Sequence, residues 1–428
     1  MNGGTIADEA TTEYTVEDAV TLIAPTYNDS EFLGWFTEAA CTGEGITGWK
    51  AGEKTGDITL YAKWDKIYAT NETIVERIKG LACSCKIVAS GTFSTELIRE
   101  INGALKELKS KDSKILVSLD LSAVTGLTEL EDASYKQSSY SFYACSNLAE
   151  IVLPNTVITI GNYAFDDCSS LASITIPDSV TSIGDDAFSN CRSLTSITIP
   201  DSVTSIGLCA FGRCNSLMNI TIPKSVTNII DGAFFGCTKL STVYYEGSLA
   251  DWLKISFEDD AYLCSNPCSN GADLYINGTK LTDVEIPSTV TSIGYHAFFG
   301  CKSITSITIP TSVTRIEREA FLYCTSLKSF YYQGTLADWV AISFSYSSHP
   351  CYYGADLYIN GTKLTGDVTI PSTATSIGNY AFCGCKSITS VTIPDSVTSI
   401  AGYAFEGCTS LRSITIPDSV TSIGWDAF

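Results

Sequence analysis

The sequence repeats itself every 23 residues, and this period constrains the fold more than any other feature. The repeat reads L-x-x-I-x-I-P-x-S-V-x-x-I-G-x-x-A-F-x-x-C over most of the chain beyond residue 136. Its proline recurs at Pro154, Pro177, Pro200, Pro223, Pro287, Pro310, Pro371, Pro394 and Pro417. A unit this short buries too little apolar surface to fold alone. The pattern therefore predicts a stacked array of coils, a solenoid.

One copy, residues 171–194, indicates how each coil is built. Ile174 and Ile176 alternate with hydroxyl residues, which predicts a short strand with its apolar side inward. Pro177 ends the strand because it cannot donate to the ladder, and Gly184 permits a tight turn. The rest of the predicted core is Val180, Ile183, Ala187, Phe188 and Cys191.

These residues carry a family resemblance. The segment L-x-x-I-x-I-P-x-S-V resembles the leucine-rich-repeat signature, with Ser179 where that signature commonly has Asn. The full unit, with A-F-x-x-C, is similar to the BspA-like leucine-rich repeat of bacterial surface and secreted proteins. This resemblance covers residues 136–428 and implies a curved solenoid with a parallel β-sheet on its concave face. It also implies a non-enzymatic adhesion or binding protein outside the cell.

Two inserts, at about residues 244–284 and 331–368, interrupt the repeat and are copies of one another. Near the start of each insert, Ser248 or Thr335 is placed to cap a short helix that contains the sequence L-A-D-W. Near the end, an Asn-Gly pair between alternating residues predicts a β-hairpin. We expect both inserts to project from the solenoid.

The inserts contain aromatic residues of the kind that anchor protein interfaces. The candidates for partner contacts are Tyr262, Tyr346, Tyr352, Tyr353, Trp252 and Trp339. For the two tryptophans, packing of each insert onto the solenoid is the alternative interpretation. A second candidate surface is the row of outward hydroxyls on the repeat strands, represented by Thr175 and Thr198, which form either a polar docking face or simply a solvated sheet.

Residues 1–65 lack the 23-residue repeat and carry different motifs. The motifs F-L-G-W-F-T and G-D-I-T-L-Y-A-K-W resemble the B-repeat module of internalin-like and other bacterial surface proteins, which implies a small β-grasp-like domain. Its opening strand is cut short at the start of this chain. The last repeat also stops at Phe428, before its cysteine. We therefore expect the chain to be a piece of a longer protein, so that missing targeting and anchor segments say nothing about location.

Residues 66–135 predict an α/β cap over the first core layer of the solenoid. Helices are expected at residues 72–81 and, after an N-cap at Ser94, to about Lys109. Strands are expected at residues 85–89 and 115–121.

Nine of the 17 cysteines occupy one repeat position and are expected to be buried free thiols, acting as small apolar side chains. Cys264 and Cys268 suit a disulfide in an exported protein, although the sequence leaves that pairing open. No C-x-x-C doublet occurs, so we predict no metal site.

The net charge of −21 argues against nucleic acid and against an anionic membrane surface as partners. The sequence contains no run of about 18 consecutive apolar residues, so we expect no membrane insertion. Only two histidines, His296 and His349, are available as general bases, and no catalytic or cofactor-binding motif is found. We therefore expect no enzyme and no cofactor, but a cell-surface or secreted, adhesin-like protein that binds an extracellular protein or glycan. The alternative is a structural stalk or antigenic coat segment with no ligand of its own.

Overall fold

A computed structural model gives the fold of the chain. It describes residues 20–22, 24, 31–37, 45–54, 58, 60–81, 84–132, 141–257 and 265–428. The chain forms two compact units, one of residues 1–202 with 213–216 and one of residues 203–212 with 217–428.

The first unit is built mainly of short strands. Its helices are α1 (Ile74–Lys79) and α2 (Thr95–Lys111). Its strands are β1 (Val20–Thr21), β2 (Phe32–Phe36), β3 (Gly48–Trp49), β4 (Tyr61–Trp64), β5 (Lys66–Thr70), β6 (Cys85–Thr92), β7 (Val117–Thr125), β8 (Glu129–Leu130), β9 (Leu148–Val152), β10 (Thr159–Ile160), β11 (Ser173–Thr175), β12 (Ser182–Ile183) and β13 (Ser196–Thr198). Strands β5, β6, β7, β9 and β11 form one parallel sheet in that order, and β8, β10 and β12 are parallel neighbours in another.

The described part of residues 20–64 holds a small aromatic core. Strands β2 and β4 pair antiparallel, which sets the G-W-F motif beside the Y-A-K-W motif with Trp35 opposite Ala62. Trp35 and Trp64 are 5% and 2% exposed. The ring of Phe32 meets each indole nearly edge-on, at centroid distances of 5.4 and 5.5 Å. Phe32 therefore packs against one indole from each motif across this strand pair.

Residues 66–132 place helix α2 over the first repeat coil. The predicted helices lie at α1 and α2 and the predicted strands at β6 and β7, while β5 was not foreseen. Strand β7 pairs in parallel with β9, the first strand of the repeat pattern. Two buried amides join helix and coil, with Asn147 Nδ2 donating to the Leu105 carbonyl at 3.1 Å and Asn102 Nδ2 to the Ser141 carbonyl at 2.8 Å. These contacts attach helix α2 to the first repeat coil.

Each coil buries the same set of side chains. Within residues 171–194, the predicted core residues Val180, Ile183, Ala187, Phe188 and Cys191 are at most 2% exposed. The repeat phenylalanines stack from coil to coil, with Phe142, Phe165 and Phe188 at centroid distances of 5.3 and 5.2 Å and ring planes within 4° of parallel. The period of 23 thus becomes a continuous apolar stack inside the unit.

Among the hydrogen bonds that join successive coils, three recur at the repeat phenylalanine, cysteine and serine. The backbone N–H of the repeat phenylalanine donates to the carbonyl of the repeat alanine in the following coil, as from Phe165 to Ala187 at 2.8 Å. The thiol of the repeat cysteine donates to the phenylalanine carbonyl of the preceding coil, as from Cys191 to Phe165 at 3.2 Å. The hydroxyl of the repeat serine donates to a valine carbonyl of the preceding coil, as from Ser179 to Val157 at 2.6 Å. The repeat cysteine is therefore a hydrogen-bond donor as well as a small apolar side chain.

Gly184 has a different role from the one predicted. A Cβ at this position would lie 2.6 Å from Asn162 Oδ1 and 2.7 Å from the backbone nitrogen of Asn162, in the neighbouring coil. The left-handed backbone of the turn is instead adopted by Asp186, with a φ of 51°. Glycine is required at 184 because the coils approach closely there, and the turn itself does not demand it.

The second unit continues the same architecture. Its helices are α3 (Leu249–Trp252) and α4 (Leu336–Val340), and two 3₁₀ turns lie at Pro267–Asn270 and Pro350–Tyr353. Its strands are β14 (Ser205–Ile206), β15 (Asn219–Ile222), β16 (Asn228–Ile229), β17 (Thr242–Tyr245), β18 (Ser256–Phe257), β19 (Asp273–Ile276), β20 (Thr279–Lys280), β21 (Asp283–Glu285), β22 (Ser292–Ile293), β23 (Ser306–Ile309), β24 (Arg315–Ile316), β25 (Ser329–Tyr332), β26 (Ser343–Phe344), β27 (Asp356–Ile359), β28 (Thr362–Lys363), β29 (Gly366–Thr369), β30 (Ser376–Ile377), β31 (Ile388–Thr392), β32 (Ser399–Ile400), β33 (Ser413–Thr415) and β34 (Ser422–Ile423). Across the described residues of the chain, no helix has the length and apolar character needed to cross a membrane.

The strands of this unit follow a fixed order in each sheet. Neighbours along the sheets run β14-β16-β18, β15-β17-β19-β20, β21-β23-β25-β27-β28, β22-β24-β26, β29-β31-β33 and β30-β32-β34. All of these pairs are parallel except the two hairpins, β19 with β20 and β27 with β28. Each hairpin ends one sheet, and a new sheet starts with the strand that follows.

The inserts are coils of the array, so the expectation that they project from it is wrong. In the first insert, β18 pairs in parallel with β16 and β19 pairs in parallel with β17. In the second, β26 pairs with β24 and β27 with β25. Each insert thus adds one strand to one sheet and a two-stranded hairpin to the other. The physical reason is that its Ser-Phe and Leu-Tyr-Ile segments keep the apolar alternation of the repeat, with Phe257 opposite Ile229.

The close approach at Gly184 predicts that Gly184→Ala lowers the free energy of unfolding by about 1–3 kcal/mol, because the added methyl overlaps the Asn162 backbone. Gly103→Ala is the matched control, since Gly103 is exposed on helix α2 with nothing within 4 Å of the added atom. The control should gain about 0.5–1 kcal/mol from helix propensity. Chemical denaturation measures both, and a Gly184→Ala protein as stable as its parent would contradict the close-packing account.

Burial predicts that the repeat thiols are unreactive in the folded chain. It raises the pKa of Cys145 and of Cys324 from the ordinary 9.0 to about 12. We expect iodoacetamide at about pH 8.5 to modify these residues only after denaturation, as mapped by mass spectrometry, while the half-buried Cys209 reacts earlier. The stability that these protonated thiols contribute is complete below pH 9 and is lost as the pH rises towards 12. Equal labelling of native and denatured protein would be inconsistent with the buried ladder.

Candidate functional site

Both inserts begin with the same helix cap. The Ser248 hydroxyl accepts a hydrogen bond from the Asp251 backbone at 3.2 Å, and the Asp251 carboxylate accepts one from the Ser248 backbone at 3.3 Å. Thr335 and Asp338 form the same reciprocal pair in the second insert. The predicted N-caps are therefore confirmed, and they fix where each helix starts.

Trp252 and Trp339 are fully buried, so the interpretation of these indoles as partner contacts is wrong. Trp252 Nε1 donates to the Ala297 carbonyl and Trp339 Nε1 to the Ala381 carbonyl, each at 2.8 Å. In ordinary coils such alanine carbonyls accept from the backbone N–H of a repeat phenylalanine. An insert coil has no repeat phenylalanine, and its indole supplies the missing donor. The packing interpretation of the tryptophans is the correct one.

Six tyrosines of the second unit gather around the second insert, and we call them the tyrosine surface: Tyr323, Tyr346, Tyr352, Tyr353, Tyr380 and Tyr403. Three of them are strongly exposed, Tyr323 by 54%, Tyr346 by 59% and Tyr352 by 46%. The rings of Tyr380 and Tyr403 stack at 4.9 Å. Two of the candidates from the sequence, Tyr346 and Tyr352, are thus brought together, and a third, Tyr353, packs against Tyr352 at 5.1 Å.

A small cleft of about 40 Å³ opens in this surface. Its lining residues are Tyr346, Ser347, His349, Tyr352, Tyr380, Cys383 and Glu406. Tyr352 is placed there because it lies on the 3₁₀ turn Pro350–Tyr353, whereas Tyr380 belongs to the repeat coil that follows the insert. Sequence reasoning missed Tyr323, Tyr380 and Tyr403, because each occupies a variable position of an ordinary repeat and stands out only beside the insert.

The electrostatics of the tyrosine surface combine phenols with acids. Burial raises the pKa of Tyr353 and of Tyr380 to about 12, so both phenols keep the proton that they can donate. The guanidinium of Arg318 lies 5.7 Å from the ring centroid of Tyr346 and pairs with Glu319 at 3.0 Å. Glu406 adds a carboxylate to the cleft. Aromatic faces beside phenol donors and carboxylates suit a neutral or basic protein, or a glycan.

The remaining sequence candidates lie elsewhere or outside the described residues. Thr175 and Thr198 are exposed on β11 and β13 of the first unit, where both interpretations of the hydroxyl row stay open. Tyr262 and Cys264 fall outside the described residues, and so does the suggested pairing of Cys264 with Cys268.

A second cluster was missed by sequence reasoning. One donor atom each of His349, Cys351 and Cys385 lie within 4.8 Å of one another, and all three side chains are buried. The Cys385 thiol and then the His349 ring lower the pKa of the Cys351 thiol, against the effect of burial. Only His349 and Cys351 are close in sequence, and Cys385 joins them because the next coil stacks on the insert. Two thiols and an imidazole are a donor set that thiophilic metal ions favour.

The repeat region identifies the protein family. A family model described as BspA type leucine rich repeat region matches in six copies over residues 136–264, 271–350 and 354–428. The chain belongs to the BspA-type leucine-rich-repeat family. Residues 1–63 match the Listeria-Bacteroides repeat domain, in agreement with the resemblance of that segment to a bacterial surface-protein module. Among curated proteins, no relative matches the chain.

Solved structures of leucine-rich-repeat proteins are similar to this BspA-type chain. One from Eubacterium ventriosum is 25% identical, covers 75% of this chain and 84% of its own, and has a TM-score of 0.42. One from Bacteroides ovatus is 26% identical, with coverages of 70% and 84% and a TM-score of 0.39. A leucine rich cell surface protein from Faecalibacterium prausnitzii is 25% identical, with coverages of 79% and 84% and a TM-score of 0.34. The family assignment rests on the repeat match.

The indole hydrogen bond predicts that Trp339→Phe lowers the free energy of unfolding of this BspA-type protein. The change leaves the buried Ala381 carbonyl unpaired, which costs about 1–3 kcal/mol before the loss of packing is added. Trp425→Phe serves as the control, since Trp425 is 79% exposed. Thermal and chemical denaturation should separate the two variants. Equal loss, or none in Trp339→Phe, would argue against the indole as a substitute for the backbone donor.

Proposed function

We propose that this BspA-type protein is a non-enzymatic, adhesin-like binding protein of the bacterial cell surface or of the secreted fraction, and that the tyrosine surface contacts its extracellular protein or glycan partner. The observation that carries the proposal is the exposure of Tyr346 and Tyr352 at one cleft, with Tyr323 also exposed in the same tyrosine surface. The family supports the binding role and a location outside the cell, since the repeat is similar to that of BspA-like surface and secreted proteins.

Exposed tyrosines are effective anchors for physical reasons. A tyrosine side chain offers a large contact area with few rotatable bonds, so little conformational entropy is lost on binding. Here the rings are also held by their neighbours, Tyr352 by Tyr353 and Tyr346 by Arg318. The surface is therefore ordered before any partner arrives, which reduces the cost of association.

The net charge of −21 sets the kind of partner. This charge disfavours polyanions and favours neutral or basic molecules, and Glu406 adds a carboxylate at the cleft itself. Aromatic stacking on a neutral glycan and contact with a basic protein are both compatible with this chemistry, and the test below separates them.

Binding of the purified chain to a panel of matrix proteins and neutral glycans tests the proposal. Point substitutions are required, because deleting an insert would remove strands from two sheets. The variant Tyr323→Ala/Tyr346→Ala/Tyr352→Ala should weaken binding at least about tenfold, since each interfacial anchor contributes about 1–2 kcal/mol. The control is Tyr244→Ala, a 39% exposed tyrosine of the first insert, which should bind as the parent does.

Other outcomes identify the competing interpretations. Loss of binding in Thr175→Lys/Thr198→Lys but not in the tyrosine variant would place the contact on the sheet of the first unit. Saturable binding to no member of the panel would favour the structural stalk or antigenic coat.

A further inference from the structure

A buried set of sulfur and nitrogen donors lies at the base of the tyrosine surface. His349, Cys351 and Cys385 are 1%, 1% and 4% exposed, and their donor atoms lie within 4.8 Å of one another. Zinc–sulfur bonds of about 2.3 Å and zinc–nitrogen bonds of about 2.0 Å in a tetrahedron put ligand atoms about 3.5–3.8 Å apart. The three donors are thus within about 1 Å of the spacing that a tetrahedral ion requires.

Cys385 differs from six of the other repeat cysteines in the hydrogen bonding of its thiol. The thiols that donate to a phenylalanine carbonyl of the preceding coil are those of Cys168, Cys191, Cys214, Cys237, Cys324 and Cys408. The coil before Cys385 is the second insert, which has no repeat phenylalanine and places Cys351 there instead. Among the described residues, no carbonyl accepts a hydrogen bond from the Cys385 thiol, so its sulfur faces another donor atom.

His349 also has an unused polar atom. Its Nδ1 accepts a hydrogen bond from the Cys351 backbone at 3.2 Å, which caps the 3₁₀ turn. Its Nε2 is buried with no hydrogen-bond partner in the described part of the chain. Trp339 and Phe344 pack on the ring at 5.5 and 5.0 Å, so water has little access to it. A buried imidazole nitrogen without a partner is costly and calls for a physical explanation.

The first insert provides the comparison inside the same chain. Asn266 takes the place of His349, and its Oδ1 accepts from the Cys268 backbone at 2.7 Å in the same capping role. Its Nδ2 donates to the carbonyls of His296 and Ala297 at 2.9 and 3.2 Å. The asparagine is thus fully used by the fold, whereas the histidine caps the same turn with one nitrogen and leaves the other open.

We propose that His349, Cys351 and Cys385 bind a thiophilic divalent transition-metal ion of the zinc class. Binding displaces the protons of the two thiols into solvent, and the ion then holds two thiolates and one imidazole nitrogen. A cavity of about 200 Å³, lined by both cysteines and by Gly354 and Gly384, provides an entry path and room for a water as fourth ligand. The ion joins the turn that carries Tyr352 to the coil that carries Tyr380, and so fixes two sides of the cleft.

Cobalt(II) is the probe, because thiolate ligation gives it charge-transfer absorption and tetrahedral ligation gives it intense d–d bands. The full chain, reduced and stripped of metal, is titrated with Co²⁺ and then with Zn²⁺. We expect one strongly bound Co²⁺ per chain, displaced by Zn²⁺, and a rise in melting temperature with Zn²⁺. His349→Asn should keep the fold, since asparagine already fills this position in the first insert. It should bind Co²⁺ at least about a hundredfold more weakly than the parent, which exceeds the usual loss of affinity when a residue that only supports a metal ligand is replaced.

Two further variants make the result specific. Cys385→Ala should lose the charge-transfer band, whereas Cys408→Ala, which removes a repeat thiol bonded to the Phe382 carbonyl, should keep it. The proposal is overturned if the parent shows no thiolate-to-cobalt band, or if His349→Asn binds Co²⁺ as tightly as the parent does. It is also overturned if peptide mapping of protein isolated without reductant finds Cys351 and Cys385 joined as a disulfide that excludes the metal.

Discussion

The structure depends on the junction between successive coils. A coil of 23 residues cannot bury its own apolar face, so every coil must present its neighbour with stacked rings and with hydrogen-bond partners at the same spacing. The repeat phenylalanine meets both requirements. Its ring stacks on the next ring, its N–H reaches the next alanine carbonyl, and its carbonyl accepts the next cysteine thiol. The serine at position 179 and its counterparts add a third contact along another edge of the coil. A constant repeat length is therefore a physical condition for folding, because a coil of different geometry would leave these buried groups unpaired.

The inserts show how the condition is met when the repeat is broken. Each lacks the repeat phenylalanine and carries a tryptophan on a short capped helix, and the indole N–H takes over the role of the backbone donor to Ala297 or Ala381. Two strands restore the sheets on either side. The hairpin then ends the sheet, so the next run of repeats begins a new one. An insertion of about 40 residues is thus accommodated because it reproduces the contacts of the junction, although it lacks the repeat phenylalanine.

Much of this fold could be predicted from the sequence, and the failures have specific physical causes. Apolar alternation, helix caps and the Asn-Gly turns identified the strands, the short helices and the hairpins, because those signals are local. The position of the inserts was predicted wrongly, since their strands pair with residues more than 25 positions earlier and no local pattern shows that pairing. The same holds for Trp252 and Trp339, whose burial depends on a coil that follows much later in the chain. Gly184 was assigned to a turn, but the glycine is required by a neighbouring backbone that only the stacked structure brings close.

Functional groups collect where the junction is interrupted, and the repeat chemistry explains why. Inside a regular run, the phenylalanine N–H and carbonyl groups and the cysteine thiols form hydrogen bonds with the neighbouring coils, which leaves mainly outward serines and threonines for a partner. At the second insert the regular partners are replaced. Cys385 meets a thiol where six of its counterparts meet a carbonyl, His349 keeps an open nitrogen, and Tyr346 and Tyr352 lie beside Tyr380. The first insert breaks the repeat in the same way, yet Asn266 satisfies its own surroundings. The presence of histidine in place of asparagine at the cap of this turn therefore separates a turn whose cap is fully hydrogen-bonded within the fold from one that still offers a ligand.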